Sequence, residues 1–392
     1  MGCSGSGHFS AKPHALRSSA LEEHWGYVAD PVRVERFRRA IGLVVKPGDV
    51  VADLGCGSGI LTLLSLQAAA GHVYAIDNSR MLAVARESIA RSGFGDRVSF
   101  IQGRSQKIEL PERVDVVLCD HVGWFGFDYD ILGLLADARR RFLKRDGVTI
   151  PSVIELKLAA VESAACRAVA ERWSGADVPP AYRWLRNSSI NSKHAVELDT
   201  RELLSPPASL GELALRDDQP DYLSWSAHLR VERDGELHGL AGWFDCELAA
   251  GVRMTNSPLA TDRIDRPQVF LPIDAPVRVT SGDSLNATIT ARPADHLLGW
   301  SLAIPATGQR FSHSTWQGTV LASDDLIRSN PDRVPRPSAE AAARALVLGY
   351  CDGIRSARDI EHAVLRDHPS LFPSRAEIAL FVVQVLGRDT IR

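Results

Sequence analysis

The chain is poor in the residues that mark specialised chemistry or location. Only six of its 392 residues are cysteine, and Cys3, Cys56, Cys119, Cys166, Cys246 and Cys351 are nowhere paired at metal-ligand spacing. No metal site is therefore expected. A chain of this length needs no disulfide framework, so a reducing, cytoplasmic setting is expected. No run of eighteen apolar residues occurs, which argues against a transmembrane helix. The start, Met1-Gly2-Cys3-Ser4-Gly5-Ser6, lacks the apolar stretch of a secretory signal. It matches an acylation pattern at Gly2, but a flexible Gly/Ser tail is the plainer reading, and no membrane partner is expected. Lysine is scarce, 6 of 45 basic residues, an Arg- and Ala-rich bias typical of GC-rich bacterial genomes. A net charge of −3 excludes nucleic-acid binding through the overall field, and no nucleic-acid partner is expected.

What is present is a globular composition, 45% apolar and 24% charged, in a chain long enough for two or three cores. Residues 1–20 read as a flexible tail. Asp30-Pro31 is a cap and first-turn pair opening a helix that runs to Ile41. Strand and helix then alternate: Val50–Leu54, Ile60–Ala70, His72–Ile76, Arg80–Ser92, Val98–Gln102, Val114–Cys119 and Tyr129–Leu143. Such alternation predicts a parallel sheet covered by helices over residues 21–150. After Pro151 short strands follow one another: 224–233, 237–248, 267–271, 284–292, 298–304 and 314–321. They predict an antiparallel barrel or sandwich over 151–322, interrupted near 166–207 by a helical, loop-rich stretch. Residues 323–392 predict a small helical, winged-helix-like module. Its helices start near Ala339, after Ser356 with Asp359, and after Ser374 with Glu377. With eight arginines against seven acids from Arg336 onward, it carries too little charge to track phosphates.

The strongest motif is Asp53-Leu-Gly55-Cys-Gly57-Ser-Gly59, after a strand and opening a helix. The glycines allow close backbone approach to a ligand, and the helix start offers N–H groups to an anion. The Gly-x-Gly-x-Gly spacing differs from the pyrophosphate-binding turn and suits the carboxylate of S-adenosylmethionine (SAM). Asp77, with Asn78 beside it, ends the next strand, where an acid can accept both ribose hydroxyls. A nucleotide or flavin site is the alternative.

These residues resemble the protein arginine methyltransferase family from about Trp25 to Leu321. The glycine motif followed by Ile60-Leu61 is similar to that family's first motif. Asp30-Pro-Val-Arg33 with Phe37 and Ala40-Ile41 is similar to its cofactor-clamping helix. The resemblance implies that Arg33 pairs with the SAM carboxylate, and that Ser105 and Gln106 border the adenine. It implies a Rossmann-like α/β domain followed by a substrate barrel. It also implies a head-to-tail homodimer through an arm carrying Trp173, Tyr182 and Trp184. Cys119-Asp120-His121 through Leu132 is similar to the family's catalytic loop, which holds two glutamates nine residues apart. Here Asp120 takes the first position and Tyr129 the second, flanked by Asp128 and Asp130, any of which can stand in for the second acid. The family's Thr-His-Trp triplet is replaced by Arg263, Ile264 and Asp265, and Asp265 is a candidate for lining the same pocket. His121 reads either as a general base or as a loop histidine bonded to backbone. Trp124, Phe125 and Phe127 read either as an aromatic wall or as core. Cys56 and Cys119 read as packing residues.

Residues 345–386 resemble the peptide-chaperone module of pyrroloquinoline-quinone biosynthesis in their helices only. No strand set for a peptide-binding edge precedes them. Together these features predict SAM-dependent transfer of a methyl group to a nitrogen, such as a guanidino nitrogen, of a peptide or small-molecule natural product. The alternatives are O- or C-methylation in a natural-product pathway, through Tyr129 or His121, and a SAM-binding scaffold without catalysis.

Overall fold

The computed structural model describes residues 20–390, so the Gly2 pattern and the tail to residue 19 lie outside the described residues. The chain divides into two compact units, Met1–Val320 and Leu321–Arg392.

The first unit opens with α1 (Ala20–Ala29) and α2 (Pro31–Val44). The sequence pattern places no helix before Asp30. The reason is that α1 turns Leu21, Trp25 and Val28 to solvent, so its apolar residues do not report a core face. In α2 the caps act as expected: Pro31 starts the helix and the Asp30 carboxylate accepts from the Arg33 N–H at 3.0 Å. Its buried face is Arg33, Phe37, Ala40 and Ile41, one stripe at helical spacing. The alternation that follows is β1 (Val50–Leu54), α3 (Ile60–Gln67), β2 (His72–Asp77), α4 (Met81–Arg91), β3 (Val98–Gln102), β4 (Val114–Leu118), α5 (Ile131–Arg141) and β5 (Leu143–Ile150). The five strands form one parallel sheet in the order β3-β2-β1-β4-β5. The chain order reverses between β1 and β4, the switch point where open α/β sheets place their ligands.

From β6 (Val153–Val161) the chain turns antiparallel. Helices α6 (Ala164–Glu171) and α7 (Leu185–Ile190) interrupt it before β7 (His194–Val196) and β8 (Ala208–Ala214). Then come β9 (Leu223–Arg230), β10 (Gly235–Ala249), β11 (Val252–Thr255), β12 (Gln268–Val279), β13 (Ser284–Arg292), β14 (Leu297–Ile304) and β15 (Gln309–Ser314). One sheet runs β7-β12-β10-β6-β8, with β11 on β10, and a second runs β15-β14-β13-β9. Two strand expectations shift. The segment expected at 267–271 extends to Val279, past Pro272 and Pro276, with its register against β10 slipping between Leu237 and Gly239. Prolines end a strand in sequence terms, but a slipped register accommodates them. The strand expected at 314–321 instead ends at Ser314. Trp316 and Val320 beyond it are solvent-facing rather than alternating.

The second unit holds α8 (Ser323–Ser329), α9 (Ala339–Leu348), α10 (Ala357–Asp367) and α11 (Arg375–Asp389). Ser338, Ser356 and Ser374 each cap a helix with the side-chain oxygen. Val347, Ile360, Val364, Ile378, Val382 and Val385 form its core. A winged-helix comparison fails in one respect: no strand occurs among the described residues of this unit, so it has no wing.

Candidate functional site

The register Asp53↔Leu118 in the β1–β4 pair sets the loops after these two strands side by side at the switch point. The first is the glycine turn. Gly55 and Gly57 hold φ of 68° and 53°, a left-handed conformation that side chains disfavour. Their faces are occupied: a Cβ on Gly55 would overlap the His121 imidazole, and one on Gly57 would overlap the His24 imidazole. Gly59 differs in role. It begins α3 at φ 83°, and a Cβ there would press on Ala85, so it is a packing glycine behind the turn. Asp53, fully buried, accepts from the Thr62 hydroxyl at 2.7 Å, and burial pushes its carboxyl up to about 6. Asp77 ends β2 and braces the turn: one carboxylate oxygen accepts from Gly57 N–H at 2.8 Å, the other from Ser79 N–H at 2.7 Å. Each oxygen keeps a further lone pair for a ligand hydroxyl.

Two cavities adjoin here, of about 290 and 450 Å³. They share Gly55, Asp77, Asn78, His121 and Tyr129 and so form two lobes of one cleft. The first lobe adds Arg33, Asp53, Gly57, Ile60, Leu61 and Asp120. The second adds Ser105, Gln106 and Asp130. Every residue expected to bind the cofactor except Gly59 therefore faces this cleft.

At the far end stands Asp120, buried with two guanidinia on it. Its Oδ2 accepts from Arg33 Nε at 2.7 Å and Arg266 Nη2 at 3.0 Å, and Arg33 Nη2 lies 2.7 Å away. Its Oδ1 faces Arg266 Nη1 at 3.4 Å. Burial works against the charge, but Arg266 and Arg33 outweigh it and hold the carboxyl down at about 2. Arg33 also donates to the Tyr27 carbonyl at 2.7 Å and lies over the Tyr27 and Phe37 rings. Burial pushes the Tyr27 phenol up to about 12.

The remaining acids part company. Asp128 turns away from the cleft: its Oδ2 accepts from the Trp124 and Phe125 N–H groups at 2.7 and 2.6 Å, and Oδ1 pairs with Lys193. It staples the loop. Asp130 sits at the N-cap of α5 with φ 58° and lines the second lobe, its carboxyl raised by burial. Tyr129, in the slot of the second acid, is half exposed at the junction of the lobes, its phenol raised by burial. His121 lies against Gly55 with Nδ1 3.3 Å from Cys119 Sγ, and burial lowers its pKa, keeping the imidazole neutral at neutral pH. Both thiols, Cys56 and Cys119, are raised by burial, as packing residues are. Phe125 and Phe127 are core, against Gly242 and Trp225, and not a substrate wall. Asp265 does not line the cleft. Its side chain is exposed and its N–H donates to Asp30 Oδ2 at 2.8 Å.

Nothing in the sequence pattern marks Arg266, Tyr27, His24 or Glu23, although the last three line the cleft and Arg266 closes on its acid. Arg266 is one arginine in an Arg-rich chain, 146 residues from its partner, so no local spacing signals it. Asn256 does carry a readable consequence: fully buried, it bonds Phe244 N–H, the Trp124 carbonyl and the Pro267 carbonyl, and so ties the Asp120 loop to the barrel.

The donor set suits an α-amino acid joined to a nucleoside. Arg33 is a guanidinium for a carboxylate, the glycine faces are cradles that any Cβ would fill, and Asp77 is an acid for paired hydroxyls. No cluster of metal-ligating side chains occurs among the described residues. Comparison with known proteins agrees with this chemistry. A family profile described as a methyltransferase domain matches residues 51–147. Protein arginine N-methyltransferase 1 of Schizosaccharomyces pombe is 27% identical, covering 69% of this chain and 83% of that protein. Protein arginine N-methyltransferase 6 of Xenopus tropicalis is 26% identical over 71% and 85%. Two solved structures share the fold: protein arginine methyltransferase 10 of Arabidopsis thaliana and the Trypanosoma brucei PRMT1 enzyme-prozyme heterotetrameric complex with AdoHcy. The first has a TM-score of 0.67 at 21% identity, covering 76% of this chain and 98% of that one. The second has a TM-score of 0.66 at 20% identity, over 74% and 96%.

Proposed function

We propose that this protein arginine methyltransferase-like, SAM-dependent methyltransferase transfers a methyl group to a guanidino nitrogen of a peptide or small molecule. The observation that carries the reading is a single cleft with the glycine turn and Asp77 at one end and the Arg33–Asp120 pair at the other. When bound, SAM supplies a sulfonium-activated methyl group. Arg33 holds the amino-acid carboxylate, Asp77 the ribose hydroxyls, and Ser105 with Gln106 border the base. Asp120, ionised across the physiological range, orients the acceptor cation so that one nitrogen faces the methyl carbon. The nitrogen that receives the methyl group would have to release a proton. The imidazole of His121, its pKa lowered by burial, stands in the cleft wall as a base for that proton. Tyr129 replaces the second acid of the relatives with a neutral hydroxyl, which suits an acceptor held through one carboxylate.

Natural-product peptides are the acceptor class favoured by an additional helical unit resembling a peptide chaperone. The exposed Tyr182 and Trp184, on the arm over 166–207, favour a homodimer. The test is calorimetry with S-adenosylhomocysteine, followed by labelled SAM with arginine peptides and free guanidines. Uptake and label on a guanidino nitrogen are expected. Uptake with label only on oxygen or carbon overturns the acceptor and supports the alternative, while no uptake overturns the whole reading.

A further inference from the structure

Arg266 has no role in the transfer just described, yet it occupies the seat that the transfer needs. A carboxylate has about four lone-pair sites. On Asp120, Arg33 Nε, Arg33 Nη2 and Arg266 Nη2 crowd Oδ2, while Arg266 Nη1 faces Oδ1 at 3.4 Å, so Arg266 spans both oxygens. An external guanidinium cannot fork onto Asp120 while Arg266 remains. Arg266 is not a loose surface arginine that happens to swing by: its side chain and that of Asp120 are each only 8% exposed. Its guanidinium lies over the Tyr27 ring, 5.7 Å from the centroid.

The segment that carries it, residues 256–267 between β11 and β12, is built rather than slack. Asn256 bonds it to the Trp124 carbonyl and the Pro267 carbonyl. Asp30, at the cap of the cofactor-facing helix, accepts from Asp265 N–H beside Arg266, and Arg36 of the same helix pairs with Asp262. The helix that presents Arg33 therefore also fixes the loop that presents Arg266.

We propose that Arg266 is the gate of the acceptor site, a guanidinium supplied by the chain itself that competes with the acceptor's for Asp120 and sets its specificity. Only an acceptor that adds contacts elsewhere in the cleft displaces it; a bare guanidine does not. The proposal rests on the guanidino reading above and adds the group that discriminates between acceptors. Two Asp120 partners also differ in what replaces them. Arg33 has a second destination, the cofactor carboxylate, whereas Arg266 has none in the cleft and must swing out.

The test uses full-length protein saturated with S-adenosylhomocysteine and ethylguanidine as the probe, by calorimetry. An intramolecular competitor lowers apparent affinity by the fraction of time the seat is open. Arg266→Ala should therefore bind ethylguanidine roughly tenfold or more tightly than the unaltered protein. Arg266→Gln, which keeps the bulk and a hydrogen-bonding head, should gain in the same direction and covers loss of folding in the alanine variant. Adding Asp120→Asn to either variant should abolish the gain. In turnover with small guanidines, KM should fall more than kcat changes. Equal affinities in variant and unaltered protein, or a gain that survives Asp120→Asn, would overturn the gate, and a brace that merely supports the fold predicts that result. Tighter ethylguanidine binding without any guanidine methylation would uphold the gate and sink the guanidino acceptor, so the two readings fail separately.

Discussion

At the glycine-turn end of the cleft the walls are mostly backbone and small residues, held by neighbours close in sequence. Gly55, Gly57 and Asp77 lie within 23 positions of one another, and Asp77 bonds the turn it faces. At the Asp120 end the walls are charged side chains from three distant segments: Arg33 on α2, Asp120 after β4 and Arg266 before β12. The first end is a rigid cradle whose shape comes from what is missing, namely Cβ atoms. The second is a buried ion cluster whose geometry depends on every partner being present. A cradle tolerates changes of charge nearby but not of volume; an ion cluster tolerates changes of volume but not of charge.

The largest effect expected from that contrast is Asp120→Asn. It leaves two buried guanidinia without their carboxylate, and breaking a buried pair costs about 3–5 kcal/mol. Denaturant unfolding should show this loss near neutral pH. The pH dependence has a definite sign. The Asp120 carboxyl is held at about 2 against an ordinary 3.8, so its contribution is present above pH 4 and lost as pH falls toward 2. The acid limb of the stability curve should flatten in the variant; an unchanged limb would show that the two arginines do not hold the acid's charge.

Gly55→Ala comes next and probes the cradle. A side chain at φ 68° must displace the His121 ring. Strained backbone of this kind costs about 1–3 kcal/mol. At 1.4 kcal/mol per decade, affinity for S-adenosylhomocysteine should drop roughly tenfold to a hundredfold by calorimetry. Undiminished affinity would show that the turn does not touch the cofactor.

The smallest effect is expected from Asp128→Ala. It deletes the acceptor of two loop N–H groups, each worth about 1 kcal/mol net. The melting point should fall by a few degrees while cofactor affinity holds, because Asp128 faces away from the cleft. If methyl transfer vanishes without any change in melting, Asp128 acts in the chemistry and the staple is incidental.

How much of this was legible in advance follows the same division. The parallel sheet, the α2 cap at Asp30-Pro31, the glycine turn and Asp77 each announce themselves within a few residues, through periodicity or spacing. So do the serine caps of α10 and α11. The helix α1 does not, because its apolar residues face solvent, and the second half of β12 does not, because its prolines mask a slipped strand. Of the two acids flanking Tyr129, Asp128 and Asp130, the spacing favours neither. Only the folded loop turns Asp128 onto Trp124 and Phe125 and leaves Asp130 at the cleft.

By itself, then, the sequence determined the glycine-turn half of the cleft: a motif read by backbone conformation is local, since φ angles and strand ends belong to consecutive residues. The tertiary structure alone decided the Asp120 half. A guanidinium 146 positions from its acid becomes a partner only when β4 and the β11–β12 segment are brought together. Coulombic pairing depends on distance in space and carries no trace in the order of residues.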